Sequence, residues 1–197
     1  GNGDNLVIGD DGLLDYVRLE RSTATPGAEL NAVAIDFITS TSTTLGGGAD
    51  NVTTGTGNDI VIGGRLGDTI HAGSGRNIVI GDSGFIIAAN EDANRFSALA
   101  ITVGRIETME FGDGGADNIT TLEGNDVILG GHLADTINAG HGDNVVLGDD
   151  GAIDYVRRER DGTVSGADTN AADIDLITSL STMAAGGTDT ITTGSGN

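Results

Sequence analysis

Aspartate returns at a fixed interval of nine residues along this chain, each time in a glycine-rich setting that suits hard-cation chemistry. One block carries the beat on Asp50, Asp59 and Asp68 and then on Asn77; a second carries it on Asp117, Asp126, Asp135 and Asn144. Asn5 and Asp189 hold the same place in partial blocks nearer the two ends. Two residues after each beat stands an aliphatic side chain: Val52, Val61, Ile70 and Val79 in the first block, Ile119, Ile128, Ile137 and Val146 in the second. One carboxylate per beat cannot hold a divalent ion alone, because calcium takes roughly six to eight oxygens at about 2.3–2.6 Å. Glycine lets the backbone turn tightly enough for carbonyl oxygens to converge and complete such a set. A turn, a carboxylate and an inward aliphatic residue per beat describe a solenoid whose stacked turns share cations.

The elements that position these residues follow from longer self-similarity. The run Gly1–Gly12 returns from Gly140 onward, 139 residues later, and the match continues without a gap. Asp15-Tyr16-Val17-Arg18 falls on Asp154-Tyr155-Val156-Arg157, Asp36 on Asp175, and Asp50 on Asp189. A further copy of the opening starts at Gly73 and divides the long unit into two halves. Glycine-rich blocks are thus expected at residues 1–11, 45–83, 112–150 and 184–197, with excursions at 12–44, 84–111 and 151–183. The excursions lack the beat and hold most of the Tyr, Phe and Arg. Stretches such as Ile153–Arg157 and Ile174–Thr178 read as strands. Ala24-Thr25-Pro26-Gly27 and Asp161-Gly162 read as turn tips, so each such excursion is expected to be a two-stranded flap. The middle one pairs Phe85-Ile86-Ile87 with part of Leu99–Phe111, and a short helix is expected near Glu29–Ala34. The abrupt start and stop, in mid-repeat, suggest a segment of a longer array.

Composition narrows the field. The 34 glycines and an aromatic content of 3% cannot fill a thick globular core, but a thin interior of Val, Ile and Leu is within reach. A net charge of −21, with arginine as the only basic residue besides histidine, disfavours nucleic acid and anionic membranes as partners. No apolar run reaches membrane length. The absence of cysteine suits a protein stabilised by metal ions and is compatible with an extracellular life.

The turns resemble the RTX family of hemolysin-type calcium-binding nonapeptides, whose pattern is Gly-Gly-x-Gly-x-Asp-x-aliphatic-x. Gly63-Gly64-Arg65-Leu66-Gly67-Asp68-Thr69-Ile70-His71 fits it with Leu66 in place of the third glycine. In Gly55-Thr56-Gly57-Asn58-Asp59-Ile60-Val61-Ile62 the second and third glycines, the Asp and the aliphatic residue match. The resemblance implies an all-β fold, a right-handed parallel β-roll in which two nonapeptides make one coil. It implies several calcium ions per chain and same-edge partners two beats apart: Asp50 with Asp68, Asp59 with Asn77, Asp117 with Asp135, Asp126 with Asn144. Departures are Leu66 and Leu133 at a glycine position, Thr121-Leu122 for the first two glycines, and Asn5, Asn77 and Asn144 for Asp. Asp10, Asp82 and Asp149 stand where the second glycine belongs, just before each excursion, and either cap a terminal site or guide the chain out.

Other motifs reduce to the beat. Gly81-Asp82-Ser83-Gly84 looks like a serine-protease nucleophile signature, but its counterparts Gly9–Gly12 and Gly148–Gly151 carry Asp in place of Ser. His71, His132 and His141 fall at variable positions and read as surface residues. Thr53-Thr54-Gly55-Thr56 hints at an ice-binding ladder that its counterparts at Leu122-Glu123 and Gly194-Ser195 do not continue. No catalytic residue is expected and the chain is read as a non-enzyme. The leading expectation is a rigid calcium-binding stalk or spacer of a giant bacterial surface adhesin, secreted and extracellular, whose partners are neighbouring repeats or other copies of the chain. A self-assembling filament, sheath or surface layer is a second reading. A third is a carbohydrate- or protein-binding module using Tyr16, Arg18, Tyr155 and Arg157 of the excursions.

Overall fold

The computed structural model describes residues 1–21, 32–42, 46–89, 95–160, 170, 172–181 and 186–196. The first half supplies β1 (Leu6–Ile8), β2 (Gly12–Asp15), α1 (Arg18–Arg21), β3 (Phe37–Ser40), β4 (Asn51–Thr53), β5 (Ile60–Ile62), β6 (Thr69–Gly73), β7 (Ile78–Ile80) and β8 (Gly84–Ala88). The second supplies β9 (Val103–Thr108), β10 (Asn118–Thr121), β11 (Val127–Gly131), β12 (Thr136–Asn138), β13 (Val145–Asp149), β14 (Gly151–Asp154), α2 (Arg157–Arg160), β15 (Leu176–Ser179) and β16 (Thr190–Thr192). Among the described residues the protein is all-β, with two four-residue helices at positions equivalent under the 139-residue repeat. The helix expected near Glu29–Ala34 is not formed where that segment is described: 32–34 are turn and bend, and 29–31 lie outside the described residues, as do both expected turn tips.

Alternate strands of the beat go to different parallel sheets. One runs in the order β1-β5-β7-β11-β13 and the other β16-β12-β10-β6-β4; the excursion strands form an antiparallel sheet ordered β15-β14-β9-β8-β3-β2. Register obeys the beat throughout. Val7, Val61, Val79, Ile128 and Val146 align in one sheet; Val52, Ile70, Ile119, Ile137 and Ile191 align in the other. Pairing also runs across the excursions. Leu6 sits opposite Ile60, and Ile78 opposite Val127, although 12–44 and 84–111 intervene in sequence.

Strand sequence explains the layering. The aligned middle residues pack together between the two parallel sheets, where Val61, Ile70, Val79, Ile119 and Ile128 are fully buried. In β4 and β12 the flanking residues are polar and exposed, so that sheet keeps one wet face. In β5 and β7 all three residues are aliphatic and all three are buried. Their second face, with Ile60, Ile62, Ile78, Ile80 and Leu129, packs against Ile38, Ile86, Ile106 and Ile153 of the antiparallel sheet. A strand apolar on both faces needs cover on both, and the excursions supply the second cover.

Core packing and ligand contact are both open to the two tyrosines from the sequence, and the structure divides the pair. Tyr16 is 42% exposed, whereas Tyr155, its repeat counterpart, is 3% exposed and its backbone N–H donates to Gly104 O at 2.8 Å. Strand β9 covers β14 on that side, while β2 is the last strand of its sheet. Tyr155 is therefore a packing residue and not an exposed contact. Nearby, Arg105 ties β9 to β14 through Asp154 at 3.0 Å and pairs with Glu107 on its own strand at 2.6 Å.

Replacing Ile78 with alanine removes a fully buried side chain from the cluster that joins the parallel-sheet strands to the excursion sheet. The expected loss is about 2–5 kcal/mol in denaturant unfolding. Thr53→Ala, on the exposed face of β4, is expected to stay within about 0.5 kcal/mol of the parent.

Candidate metal centre

Each beat residue sits at the end of a turn, just before its strand, and reaches to the neighbouring coil. Except in Asn5 and Asp50, which start the two ladders, its Oδ1 accepts a hydrogen bond from the backbone N–H of the beat residue there. On one edge Asp50 N donates to Asp68 Oδ1 (2.8 Å), Asp68 N to Asp117 (2.7 Å), Asp117 N to Asp135 (2.8 Å) and Asp135 N to Asp189 (3.0 Å). On the opposite edge Asn5 N donates to Asp59 (2.7 Å), Asp59 N to Asn77 (3.1 Å), Asn77 N to Asp126 (2.8 Å) and Asp126 N to Asn144 (2.9 Å). All four pairs expected two beats apart are in contact. The ladders also bridge the excursions, which beat counting alone cannot anticipate.

The second carboxylate oxygen is the telling atom. Oδ2 of Asp50, Asp59, Asp68, Asp117, Asp126 and Asp135 is buried and meets no hydrogen-bond donor. Leaving an ionised oxygen buried and unpaired is strongly unfavourable. On the all-aspartate edge these oxygens lie against glycine Cα atoms and against carbonyls of the next coil. A Cβ added at Gly63 would collide with Gly81 O and Asp68 Oδ2; at Gly81, with Gly130 O and Asp117 Oδ2; at Gly130, with Gly148 O and Asp135 Oδ2. Carboxylate and carbonyl oxygens thus crowd together with no donor between them. Among the described residues no cluster of three or more His, Cys, Asp or Glu side chains forms, so a cation held here would take most of its oxygens from backbone carbonyls. An oxygen-only set of this kind fits calcium.

Electrostatics agree with that reading. Burial pushes the carboxyl groups of Asp68 and Asp135 up to about 7, and burial with the neighbouring charge of Asp82 pushes Asp117 up to about 9. Burial likewise raises Asp126. In each case the protein disfavours the anion for want of a counter-charge. The turn geometry demands glycine-like backbone even where glycine is missing: Leu66 and Leu133 adopt φ of 67° and 73°.

Asp10 and Asp82 behave differently. Asp10 accepts from Gly48 N at 2.9 Å and from Arg65 N at 2.7 Å, and Asp82 accepts from Gly115 N at 2.8 Å and from His132 N. Both oxygens of each are occupied by amides of two successive turns, so these residues fasten the chain where it leaves for an excursion. Burial pushes the Asp82 carboxyl up to about 8. Asp149, their counterpart, keeps a buried Oδ1 without a partner. A shorter ladder went unrecognised at the sequence level. Asp4 accepts from Asn58 N, Asn58 from Arg76 N, and Asn125 from Asp143 N. Its signal was the Asp or Asn directly before several beats. Ser83 is fully buried, its hydroxyl 3.5 Å from Ser42 O.

A family profile described as the RTX calcium-binding nonapeptide repeat matches the chain in four copies, at residues 44–65, 57–85, 111–132 and 134–152. These spans contain Asp50, Asp59, Asp68, Asn77, Asp82, Asp117, Asp126, Asp135, Asn144 and Asp149. No curated protein and no solved structure is significantly similar to the chain.

Two outcomes follow from the geometry. Without calcium the folded carboxyls of Asp68, Asp82, Asp117 and Asp135 hold protons that the unfolded chain, titrating near 3.8, has released. The native state then binds more protons than the unfolded one between about pH 4 and 9, so metal-free stability falls as pH rises through that window. Thermal melts in a chelator at pH 5 and pH 8 check the sign, and a more stable chain at pH 8 would contradict it. Gly63→Ala drives a methyl group against Gly81 O and Asp68 Oδ2. Strain of about 1–3 kcal/mol is expected, which in calorimetry is about a fivefold to 150-fold loss of calcium affinity at that turn.

Proposed function

We propose that this chain of RTX calcium-binding nonapeptide repeats is a calcium-rigidified structural segment, a right-handed parallel β-roll serving as a stalk or spacer in a giant secreted bacterial adhesin. The observation that carries the reading is the row of buried Oδ2 atoms with no donor, repeated at Asp50, Asp59, Asp68, Asp117, Asp126 and Asp135 of the beat. A row of that kind has no use in a dry fold and an immediate one in a fold completed by cations. Asp50, Asp68, Asp117, Asp135 and Asp189 would hold calcium on one edge, with Asp59 and Asp126 on the other; the ion would supply counter-charge to the carboxylates and carbonyls of adjacent coils. Rigidity then depends on the calcium-rich medium outside the cell.

The spacer role is supported by the repeat itself. Leu13 and Leu14 are 48% and 37% exposed, yet their counterparts 139 residues on, Ala152 and Ile153, are 1% and 0% exposed beneath β9. Another unit of the same kind set against β2 would bury them in the same way. That relation fits tandem units within one polypeptide. It also supports a second reading, in which separate copies stack end to end through a heterologous contact into filaments.

Calcium removal tests the core of the proposal. Circular dichroism is expected to lose most of its β signal when a chelator is added and to regain it with calcium; a spectrum indifferent to both would refute the proposal. Sedimentation in calcium separates the two assemblies. A monomeric elongated particle supports the spacer, whereas calcium-triggered fibres that Leu14→Lys prevents support the filament.

A further inference from the structure

The two edges of the roll differ in one respect that the beat does not reveal. One ladder is aspartate throughout, at positions 50, 68, 117, 135 and 189. The other alternates Asn5, Asp59, Asn77, Asp126 and Asn144. Asn77 and Asn144 keep the ladder contact: Asn77 Oδ1 accepts from Asp59 N, and Asn144 Oδ1 accepts from Asp126 N, while Asn5 starts the ladder and donates its backbone N–H to Asp59 Oδ1. In Asn77 and Asn144 the nitrogen therefore occupies the place that Oδ2 holds in an aspartate. Backbone N–H donors fix the amide orientation, because a flipped side chain would aim its NH2 group at another N–H.

That nitrogen is engaged. Asn77 Nδ2 donates to Gly75 O at 3.2 Å and to Gly73 O at 3.4 Å, and Asn144 Nδ2 to Ala139 O at 2.8 Å; Asn5 Nδ2 donates to Gly3 O and also to Asp59 Oδ1 at 2.7 Å. These carbonyls belong to the asparagine's own turn. Asp59 and Asp126, between the asparagines on the same ladder, leave Oδ2 buried and unpaired. An NH2 group brings positive hydrogens to carbonyl oxygens, as a cation does, and requires no ion.

We infer that the turns headed by Asn5, Asn77 and Asn144 take no calcium and are closed by the asparagine amide itself. Calcium binding is thereby confined to turns headed by aspartate. The roll has one edge wholly dependent on the ion and an opposite edge with a metal-independent closure at every second rung. As calcium falls, the all-aspartate edge opens first, while the asparagine edge holds the coils in register. This rests on the calcium-binding reading above and adds which turns use the ion.

The test exchanges the two side chains. Asn77→Asp is expected to bind an additional calcium ion per chain by equilibrium dialysis and to need more calcium to fold. Asp68→Asn is expected to bind fewer ions. Should a variant fail to fold, hydrogen exchange on the unaltered chain at half-saturating calcium gives an independent readout. The amides of Asp59 and Asp126, which donate to asparagines, are expected to exchange about fivefold more slowly than those of Asp50 and Asp117, which donate to aspartates. Unchanged uptake by N77D, or equal exchange on the two edges, overturns the asparagine closure. If the unaltered chain binds no calcium, the calcium reading falls and the closure falls with it.

Discussion

A buried carboxylate oxygen facing carbonyl oxygens, with no donor between them, is the constraint on which this structure turns. Each coil ends in a turn tight enough to bring glycine Cα atoms against the next coil's backbone, and Asp68, Asp117 and Asp135 point Oδ2 into that gap. The Oδ1 ladder holds these side chains in place, so the second oxygen cannot swing out to water without breaking a bond to the neighbouring coil. Stacking and charge therefore oppose each other. A divalent cation would reconcile them by supplying charge where the backbone cannot.

The rest of the architecture follows from coils that are thin. Two parallel sheets enclose one row of Val and Ile from each, a narrow core for so many ordered turns. The excursions thicken it. Their antiparallel sheet lies over the aliphatic outer face of one parallel sheet and adds a third layer to the two parallel sheets. Asp10 and Asp82 secure the departures by accepting amides from two turns at once, and Arg105 pins β9 to β14. The departure from a uniform solenoid thus serves packing as well as connection.

Much of this was legible in the residues. The nine-residue interval determines register, because any other stacking would set Val61 and Val79 off their row. It also determines the ladder partners, since two beats make one coil. Strand composition held more than the beat conveyed. Ile60-Val61-Ile62 and Ile78-Val79-Ile80 are apolar on both faces, while Asn51-Val52-Thr53 and Thr136-Ile137-Asn138 are apolar on one. That contrast identifies which parallel sheet must be covered, although single aliphatic positions drew attention away from it.

What the sequence determined by itself was the repeating unit, its oxygen chemistry and its coil-to-coil register, all properties of neighbours at fixed spacing. Only the tertiary structure decided contacts between segments whose spacing is irregular. Asp68 meets Asp117, and Asn77 meets Asp126, because the chain leaves at Gly84 and returns to the same edge, a closure no local pattern encodes. Tyr16 and Tyr155 share a motif yet differ in exposure, because burial depends on whether a strand such as β9 lies alongside. Likewise Asn and Asp read as near-equals in the beat. Their difference is set by the direction of one nitrogen, and it emerged once Oδ1 had been fixed by the ladder and Nδ2 had found a carbonyl.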